Sequence, residues 1–472
     1  MTAIVWFRRD LRLADNPALS AACAAHERVL PVYIHAPDED GEWAPGAASR
    51  WWLHGSLEAL SGALVGHGGS LHLRAGDSLE TLLALCKASG ATAVYWNRCY
   101  EPSAIARDKR IKAALREQGI DAKSFNAALW VEPWQVATKQ DGPYRVFTPF
   151  WRSVRAQLAP DAPLPAPQAM RFATVSGGLQ LEALGLLPRI RWDGGLRESW
   201  TPGEQGALDA LELFADDALN GYARLRDLPA RHGTSRLSPH LHFGEISPRQ
   251  IHHILQRDTQ RLDAKRRLDL EPFLRELGWR EFAHHLLFHF PQTPTENFSP
   301  GFASFRWAEP DEALLERWRQ GRTGIPLVDA GMRELWHTGW MHNRVRMVVA
   351  SFLTKNLRQH WREGARWFWD TLVDADLANN TLGWQWVAGC GADAAPYFRV
   401  FNPVSQAQKF DPEGDYLRHW LPELKDAPLP LLHEPWKDAA LLARSGYPAP
   451  MIDLAASRHD ALAAYQAMRG RG

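Results

Sequence analysis

Residues 2–17 read TAIVWFRRDLRLADNP, a short apolar run that passes directly into a charged turn without any glycine. The β-branched and aromatic side chains of Ile4–Phe7 are typical of a buried strand. A dinucleotide-binding turn needs glycines at this point, because the pyrophosphate must approach the backbone closely. The stretch therefore predicts the first strand of an α/β domain that lacks the usual site for NAD or FAD.

Similar apolar runs follow this first strand. They predict further strands at Val29–Ile34, Leu71–Leu73 and Ala93–Trp96, with helical spacing between them at Arg50–Leu64 and Ser78–Ala88. Alternating strands and helices imply a parallel sheet with helices on both faces. We therefore expect a doubly wound α/β domain over residues 1–131.

The chain then changes character. Residues 159–168 read APDAPLPAPQ, which favours an extended linker, and we assign residues 132–200 to it. Thr201–Glu204 and Ser247–Gln250 have the spacing of helix-capping boxes with proline at the first helical position. Helical patterns continue from there without strands, so residues 201–472 are predicted to form an all-α domain.

Composition narrows the class of protein. Lys plus Arg and Asp plus Glu number 54 each, so total charge indicates no nucleic-acid partner, although a local basic groove can exist within a neutral total. Four scattered cysteines without a CxxC pair argue against disulfides and zinc. We find neither a signal peptide nor a membrane-spanning apolar stretch, and expect a cytoplasmic protein. The 22 tryptophans leave one-electron redox chemistry open.

Two patterns resemble metal sites only superficially. Asp374–Asn380 begins like a calcium loop, but Ala378 stands where the third oxygen ligand belongs. His284, His285 and His289 have ligand-like spacing without an HExxH pattern. We therefore expect no metal ion.

Several segments of the helical region combine polar and aromatic groups. Gly233–Pro239 suits a pyrophosphate, although taken alone a helix cap explains it better. Glu276 and Arg280 lie one helical turn apart beside Trp279, which alone indicates an intrahelical salt bridge. The remaining segments are Thr338–Met347, Asp374–Asn380, Trp384–Trp386 and Asp393–Pro403.

In this order, and together with Trp6–Arg12, these segments resemble the photolyase/cryptochrome family over nearly the whole chain. They are most similar to bacterial class I photolyases for cyclobutane pyrimidine dimers. The resemblance implies a deoxyribodipyrimidine photo-lyase, a carbon–carbon lyase whose FAD lies folded within the helical domain. Its substrate would be ultraviolet-damaged DNA, in which excited reduced FAD donates an electron to a flipped-out dimer and splits it into two pyrimidines. We expect a monomer.

The resemblance also implies which residues surround FAD. They are Tyr222, Thr234, Ser235, Arg236, Leu237, Ser238, Phe273, Glu276, Arg280, Arg346, Asp374, Ala375, Asp376 and Asn380. Phe273 stands where some relatives have tryptophan. Asn380 matches the residue that faces flavin N5.

Catalytic and DNA-binding positions follow from the same resemblance. Glu276 matches the residue that hydrogen-bonds the dimer, and Trp384, Trp361 and Trp307 match a chain that carries electrons from the surface. The DNA-binding positions are Arg226, Glu276, Trp279, Arg280, Asn343, Arg344, Met347, Trp386 and Lys409. Among them, Trp279 and Trp386 are expected to stack on bases, and Arg226 and Lys409 to contact phosphates.

Relatives often hold a second, antenna chromophore in the N-terminal domain. Where relatives that bind methenyltetrahydrofolate carry an Asn-Glu pair, this chain has Ser103 and Ala104. A folate antenna would therefore need another pocket, for which the surroundings of Trp43 are the candidate.

Two other activities stay open, a (6-4) photolyase and a cryptochrome-type blue-light sensor. Signalling members usually add a long C-terminal tail, and the end of the chain at Gly472 favours repair. Repair of (6-4) lesions uses histidines as acid–base groups, where this chain has Asn343 and Met347. The nearest histidine, His342, is expected on a helix, turned about 100° away from Asn343.

Overall fold

The N-terminal domain is built on one parallel sheet. The computed structural model of the protein describes residues 1–158, 161–259, 264–394 and 398–470, so parts of the 159–168 and 393–403 motifs lie outside the described residues. The strands are β1 Thr2–Phe7, β2 Arg28–His35, β3 His72–Ala75, β4 Ala91–Asn97 and β5 Asp121–Phe125, in the order β3-β2-β1-β4-β5. All four predicted strands are confirmed. We did not predict β5, because its sequence, DAKSF, is too polar to resemble a buried strand.

Helices account for most of the remaining chain. They are α1 Pro17–Ala25, α2 Ala47–Gly66, α3 Ser78–Ser89, α4 Pro102–Glu117, α5 Phe147–Gln157, α6 Gly194–Ser199, α7 Glu204–Leu213, α8 Tyr222–Leu225, α9 Ser238–His242, α10 Pro248–Thr259, α11 Ala264–His289, α12 Glu312–Arg319, α13 Pro326–Thr338, α14 Asn343–Ser351, α15 Trp361–Thr371, α16 Leu377–Ala388, α17 Pro403–Phe410, α18 Asp415–Trp420, α19 Leu429–His433, α20 Ala439–Ser445 and α21 Leu454–Arg469. No helix in these described ranges is both long enough and apolar enough to cross a membrane.

The two faces of the sheet are covered by different helices. Val5 and Phe7 of β1 pack with α1 and α2, whereas Ile4 and Trp6 pack with α3 and α4. This alternation follows from the two-residue period of a strand. The predicted doubly wound α/β domain and the helical second domain are therefore confirmed.

The segment between the two domains is more structured than an extended linker. Its helix α5 buries Phe147, Phe150 and Trp151 in a core that also contains Phe273 and Phe282 of α11. The proline-rich stretch is extended in its described part and contains no helix. The domain boundaries stay a prediction.

One of the two predicted capping boxes is wrong. Helix α7 begins at Glu204, whose carboxylate accepts the N–H groups of Leu13 (2.8 Å) and Ala14 (3.0 Å) instead of capping its own helix. At α10 the box is present, because Ser247 N–H donates to Gln250 Oε1 at 2.8 Å and Gln250 N–H donates to Ser247 Oγ at 2.9 Å.

The buried carboxylate of Glu245 joins the two domains. It accepts hydrogen bonds from Trp52 Nε1 (3.0 Å), Gly203 N–H (2.7 Å) and the Ser56 hydroxyl, and it pairs with His240. Trp52 and Ser56 belong to α2 of the first domain, whereas His240 belongs to α9 of the second. One carboxylate therefore satisfies donors from both sides of the interface.

We predict that Glu245→Ala lowers the free energy of unfolding by about 3 kcal/mol, because it leaves several buried donors without an acceptor. Urea unfolding followed by circular dichroism measures the change. Glu58→Ala, at an exposed position of helix α2, is the control and should change the free energy of unfolding by less than about 0.5 kcal/mol. Equal stability of the two variants would contradict this role for Glu245.

Candidate functional site

A cavity of about 550 Å³ lies in the helical domain. This volume lies within the range of about 300–1,000 Å³ that is usual for small-molecule and cofactor sites. Predicted site residues that line it are Tyr222, Arg226, Thr234, Ser235, Arg236, Leu237, Ser238, Phe273, Glu276, Trp279, Arg280, Asn343, Arg344, Arg346, Met347, Asp374, Asp376, Asn380, Trp384 and Trp386. The structure thus brings together most positions proposed from the sequence.

The side chains of Ser238 and Arg346, from two separate helices, both contact Asp374. Its carboxylate accepts Arg346 Nη2 at 2.9 Å and the Ser238 hydroxyl at 2.7 Å. The Arg346 Nε–H in turn donates to the Met341 carbonyl at 2.7 Å. These hydrogen bonds connect α9 and α14 to the turn before α16, and they position the loop Thr234–Ser238 beside the cavity.

Asn380 is one of the residues that line the cavity. Its Nδ2 donates to the carbonyl of Ala365 at 3.0 Å, which directs its Oδ1 away from that contact. A side-chain oxygen beside the cavity suits an N–H donor such as the protonated N5 of a reduced flavin. The hydroxyl-rich loop 234–238 suits phosphates, and Phe273 with Trp384 supplies apolar surface. The residues present therefore fit FAD.

Glu276 is paired differently from the intrahelical salt bridge that its spacing indicates. Its Oε1 accepts Arg226 Nη1 at 2.6 Å, and both side chains are partly exposed. Arg280 instead donates to the backbone carbonyl of Ala128 at 2.7 Å. Both side chains line the cavity, but Arg280 reaches the first domain while Glu276 pairs with Arg226.

Arg236 does not extend freely into the cavity. Its guanidinium lies 4.2 Å from the centre of the Trp200 ring and 5.3 Å from that of Trp340. Burial lowers the pKa of Arg236, although the nearby Glu334 carboxylate opposes this. The residue therefore shapes the loop through its contacts with two indoles.

Two aromatic contacts fix the walls of the cavity. Trp279 stacks on Phe147 of α5 with ring centres 3.7 Å apart and planes 8° from parallel. Phe273 meets Tyr222 edge to face at 5.5 Å. A helix inside the predicted linker thus orients a predicted base-stacking residue.

Besides Trp361 and Trp307, two predicted site residues lie outside this cavity. Ala375 is buried and lines a second cavity instead, because the turn before α16 directs its side chain toward the first domain. Lys409 is exposed on α17 outside the cavity, and its ammonium lies 5.0 Å from the Phe410 ring. Arg344, which does line the cavity, lies 4.4 Å from the same ring and pairs with Asp227 at 2.7 Å.

Sequence reasoning missed His242 and Trp340 as lining residues. His242 lies one helical turn after Ser238, so helical spacing from the loop could have indicated it. Its Nδ1 lies 3.5 Å from the Asp376 carboxylate, and His284 Nε2 lies 3.6 Å from the same oxygen. The pKa of Asp376 is well below its usual range, because these histidines outweigh the effect of burial.

The three tryptophans of the predicted electron chain run from the cavity toward the surface. Trp384 lines the cavity and packs so closely on Gly364 that no Cβ would fit there. Trp361 lies one helical turn before Gly364 and is buried. His360 bridges to the partly exposed Trp307, with ring centres 5.5 Å from Trp361 and 5.0 Å from Trp307.

Comparisons with known proteins agree with this geometry. Residues 3–168 match the family described as DNA photolyase, and residues 273–467 match the FAD binding domain of DNA photolyase. A deoxyribodipyrimidine photo-lyase of Agrobacterium fabrum is 47% identical over 477 residues, covering 99% of this chain and 98% of that protein. The chain belongs to the photolyase/cryptochrome family.

Relatives with other names are also similar to this chain. Cryptochrome-1 of Arabidopsis thaliana is 39% identical, over 98% of this chain and 70% of its own length. A solved structure described as a bacterial class III photolyase from Agrobacterium tumefaciens superposes with a TM-score of 0.94 at 46% identity, covering 99% of this chain and 98% of that one. FAD is the cofactor of the helical domain. The assignment to class I stays a prediction.

A second, smaller cavity of about 90 Å³ lies at the carboxyl ends of β1 and β4. Ligands of doubly wound sheets bind at this edge, where the strand order reverses. Trp43 lines it together with Trp369, and the two rings meet edge to face at 5.3 Å. Ala104 lines it also, but its volume is below the range that is usual for cofactor sites, so an antenna chromophore beside Trp43 stays a prediction.

We predict that the purified protein carries noncovalent FAD, because the cavity combines phosphate-binding hydroxyls, apolar walls and the Asn380 acceptor. Heat denaturation should release the cofactor, and chromatography against standards should identify it as FAD. Recovery of FMN, or of no flavin after reconstitution, would contradict the site as we describe it.

Proposed function

We propose that this protein repairs cyclobutane pyrimidine dimers in DNA in a light-dependent reaction. The observation that supports it most directly is the cavity mouth, where Glu276, Trp279 and Trp386 line one continuous space with Asn380 and Trp384. Bound FAD supplies the photochemistry, since its reduced form absorbs blue light and gives up one electron. The chain itself must bind the lesion, exclude water and orient the dimer.

The lesion has to leave the duplex to enter this cavity. Trp279, held from behind by Phe147, offers a rigid face for base stacking. Glu276 and Arg226 form a charge pair at the mouth, and each presents groups to an incoming nucleotide. We propose that damaged DNA exchanges this pair for contacts from Arg226 to a phosphate and from Glu276 to the dimer.

The surroundings of His342 favour dimer repair over repair of the (6-4) lesion. His342 does not lie within a helix as we expected; it caps α14, accepting Arg344 N–H on its Nδ1 at 3.2 Å. Its ring is buried, and burial lowers its pKa to about 4. A neutral, buried imidazole outside the cavity cannot deliver a proton to a lesion at neutral pH.

A blue-light sensor is the second candidate function. The similarity to cryptochrome-1 over 98% of this chain favours it. A sensor needs light-driven electron transfer but no lesion contacts. Repair that depends on Glu276 therefore separates the two functions.

We predict that Trp384→Phe blocks photoreduction of oxidised FAD, because phenylalanine cannot give up an electron at this step. The measurement is the visible absorbance of the flavin under blue light with an external reductant. Enzyme reduced beforehand with dithionite should still repair dimers, since that electron does not pass through Trp384. Normal photoreduction by the variant would show that the electrons take another route.

We also predict light-dependent repair of cyclobutane thymine dimers and no measurable repair of (6-4) photoproducts. Glu276→Ala should lower dimer repair by about a hundredfold, the usual effect of losing one group that stabilises developing charge, while FAD stays bound. Repair is measured on defined oligonucleotides in light and in dark.

Glu271→Ala is the matched control, because Glu271 lies on the same helix α11 but is half-exposed and pairs with Arg155. This control should repair dimers like the wild type. Turnover of the (6-4) lesion, or full dimer repair by Glu276→Ala, would disprove the proposed role of the pocket.

A further inference from the structure

A groove of about 430 Å³ lies on the surface of the helical domain and is lined by Arg306, which directly precedes Trp307. One wall is a single face of α21, formed by three alanines and Met468 together with Asp460. The other wall contains Arg306 and Arg358. The groove is therefore a surface feature with two cations and little steric bulk.

The same two backbone segments supply the arginines of the groove and the surroundings of Trp307. Arg306 directly precedes Trp307, and Ala308 N–H donates to the Arg358 carbonyl at 2.8 Å. Two residues beyond Arg358, the ring of His360 packs against Trp307 at 5.0 Å. Burial and the neighbouring Arg362 and Arg366 lower the pKa of His360 to about 4, so this ring adds no charge at neutral pH.

Arg306 and Arg358 are unpaired cations within the described part of the chain. Within residues 1–158, 161–259, 264–394 and 398–470, neither guanidinium has an ion-pair or hydrogen-bond partner. Arg358 also holds a positive φ of 50°, which is unfavourable for a non-glycine residue. Asp460 is the opposing charge in the groove, but its carboxylate is 63% exposed and well solvated. The net charge of the lining is positive.

We propose that this groove binds the anionic one-electron donor that re-reduces Trp307, a proposal that rests on the tryptophan chain of the proposed function. An oxidised Trp307 indole is a radical cation that has passed one electron inward to Trp361. It takes one electron from the donor and returns to the neutral indole. With ascorbate as the donor, the monoanion becomes the ascorbyl radical and releases one proton to water.

Charge complementarity identifies the class of donor. A positive surface beside the acceptor raises the local concentration and encounter rate of small anions by about tenfold or more, and this gain falls with ionic strength. The arginines do not raise the local concentration or the encounter rate of an uncharged donor such as dithiothreitol. The groove therefore selects anionic donors with an enediolate or carboxylate group over neutral ones.

The first test measures binding in the dark, without turnover. The protein is labelled with 5-fluorotryptophan, and the Trp307 resonance is identified by its loss in Trp307→Phe. Ascorbate should shift this ¹⁹F resonance in a saturable manner. In the double variant Arg306→Gln/Arg358→Gln, the ascorbate concentration that gives half of the maximal shift should rise about tenfold. The control variant Arg116→Gln/Arg444→Gln replaces two exposed arginines elsewhere and should leave this concentration unchanged.

The second test follows FAD photoreduction against donor concentration. The double variant should need about tenfold more ascorbate for half-maximal rate and should lose most of the salt dependence, with no change for dithiothreitol. If Trp307→Phe photoreduces like the wild type, the tryptophan chain itself is wrong. If Trp307→Phe is blocked but the double variant matches the wild type in both tests, or is impaired equally with both donors, the groove is not an anion site.

Discussion

The carboxylate of Glu245 is the contact on which the geometry of the FAD cavity depends. A buried carboxylate is tolerated only when donors surround it, and here they come from α2, from the turn before α7 and from α9. Helix α9 also carries Ser238 and His242, which line the cavity. The position of the loop 234–238 is thereby set by an interface with the N-terminal domain rather than by the helical domain alone.

Charge around the cavity is largely compensated within the protein. Arg346 is paired with Asp374, Arg226 with Glu276, and Arg344 with Asp227. The cavity therefore reflects the balance of acidic and basic residues in the whole chain. Pairs that are partly exposed cost little to exchange, so an incoming phosphate can replace a carboxylate at the mouth. Arg306 and Arg358 differ from these pairs, because within the described part of the chain neither guanidinium has an acidic partner.

Tryptophans in this protein divide into groups by environment. Trp279 and Trp386 are partly exposed at the cavity, where an indole face can stack on a base. Trp384 and Trp361 are buried, whereas Trp307 is partly exposed. Others, such as Trp52 and Trp318, are fully buried core residues. The position of each side chain, and not the number of tryptophans, therefore decides which role each one can take.

Much of the fold was predictable because its signals are local. Apolar runs such as Ile4–Phe7 and the capping residues Ser247 and Gln250 act within a few positions of each other, so periodicity and spacing reveal them. The polar edge strand β5 and the buried helix α5 were not predicted, because edge pairing and packing against α11 supply their stability rather than their own sequence pattern.

The sequence by itself determined the two-domain architecture, the family and most residues that line the cavity, since these depend on motif order and element type. Only the tertiary structure decided which side chains pair with each other and which cavity each of them lines. Glu276 pairs with Arg226, fifty positions away, and not with Arg280 on its own helix, while Ala375 faces another cavity than Asp374 and Asp376. The physical reason is that side-chain partners are selected by directions in space, which depend on how distant helices pack and which spacing along the chain does not encode.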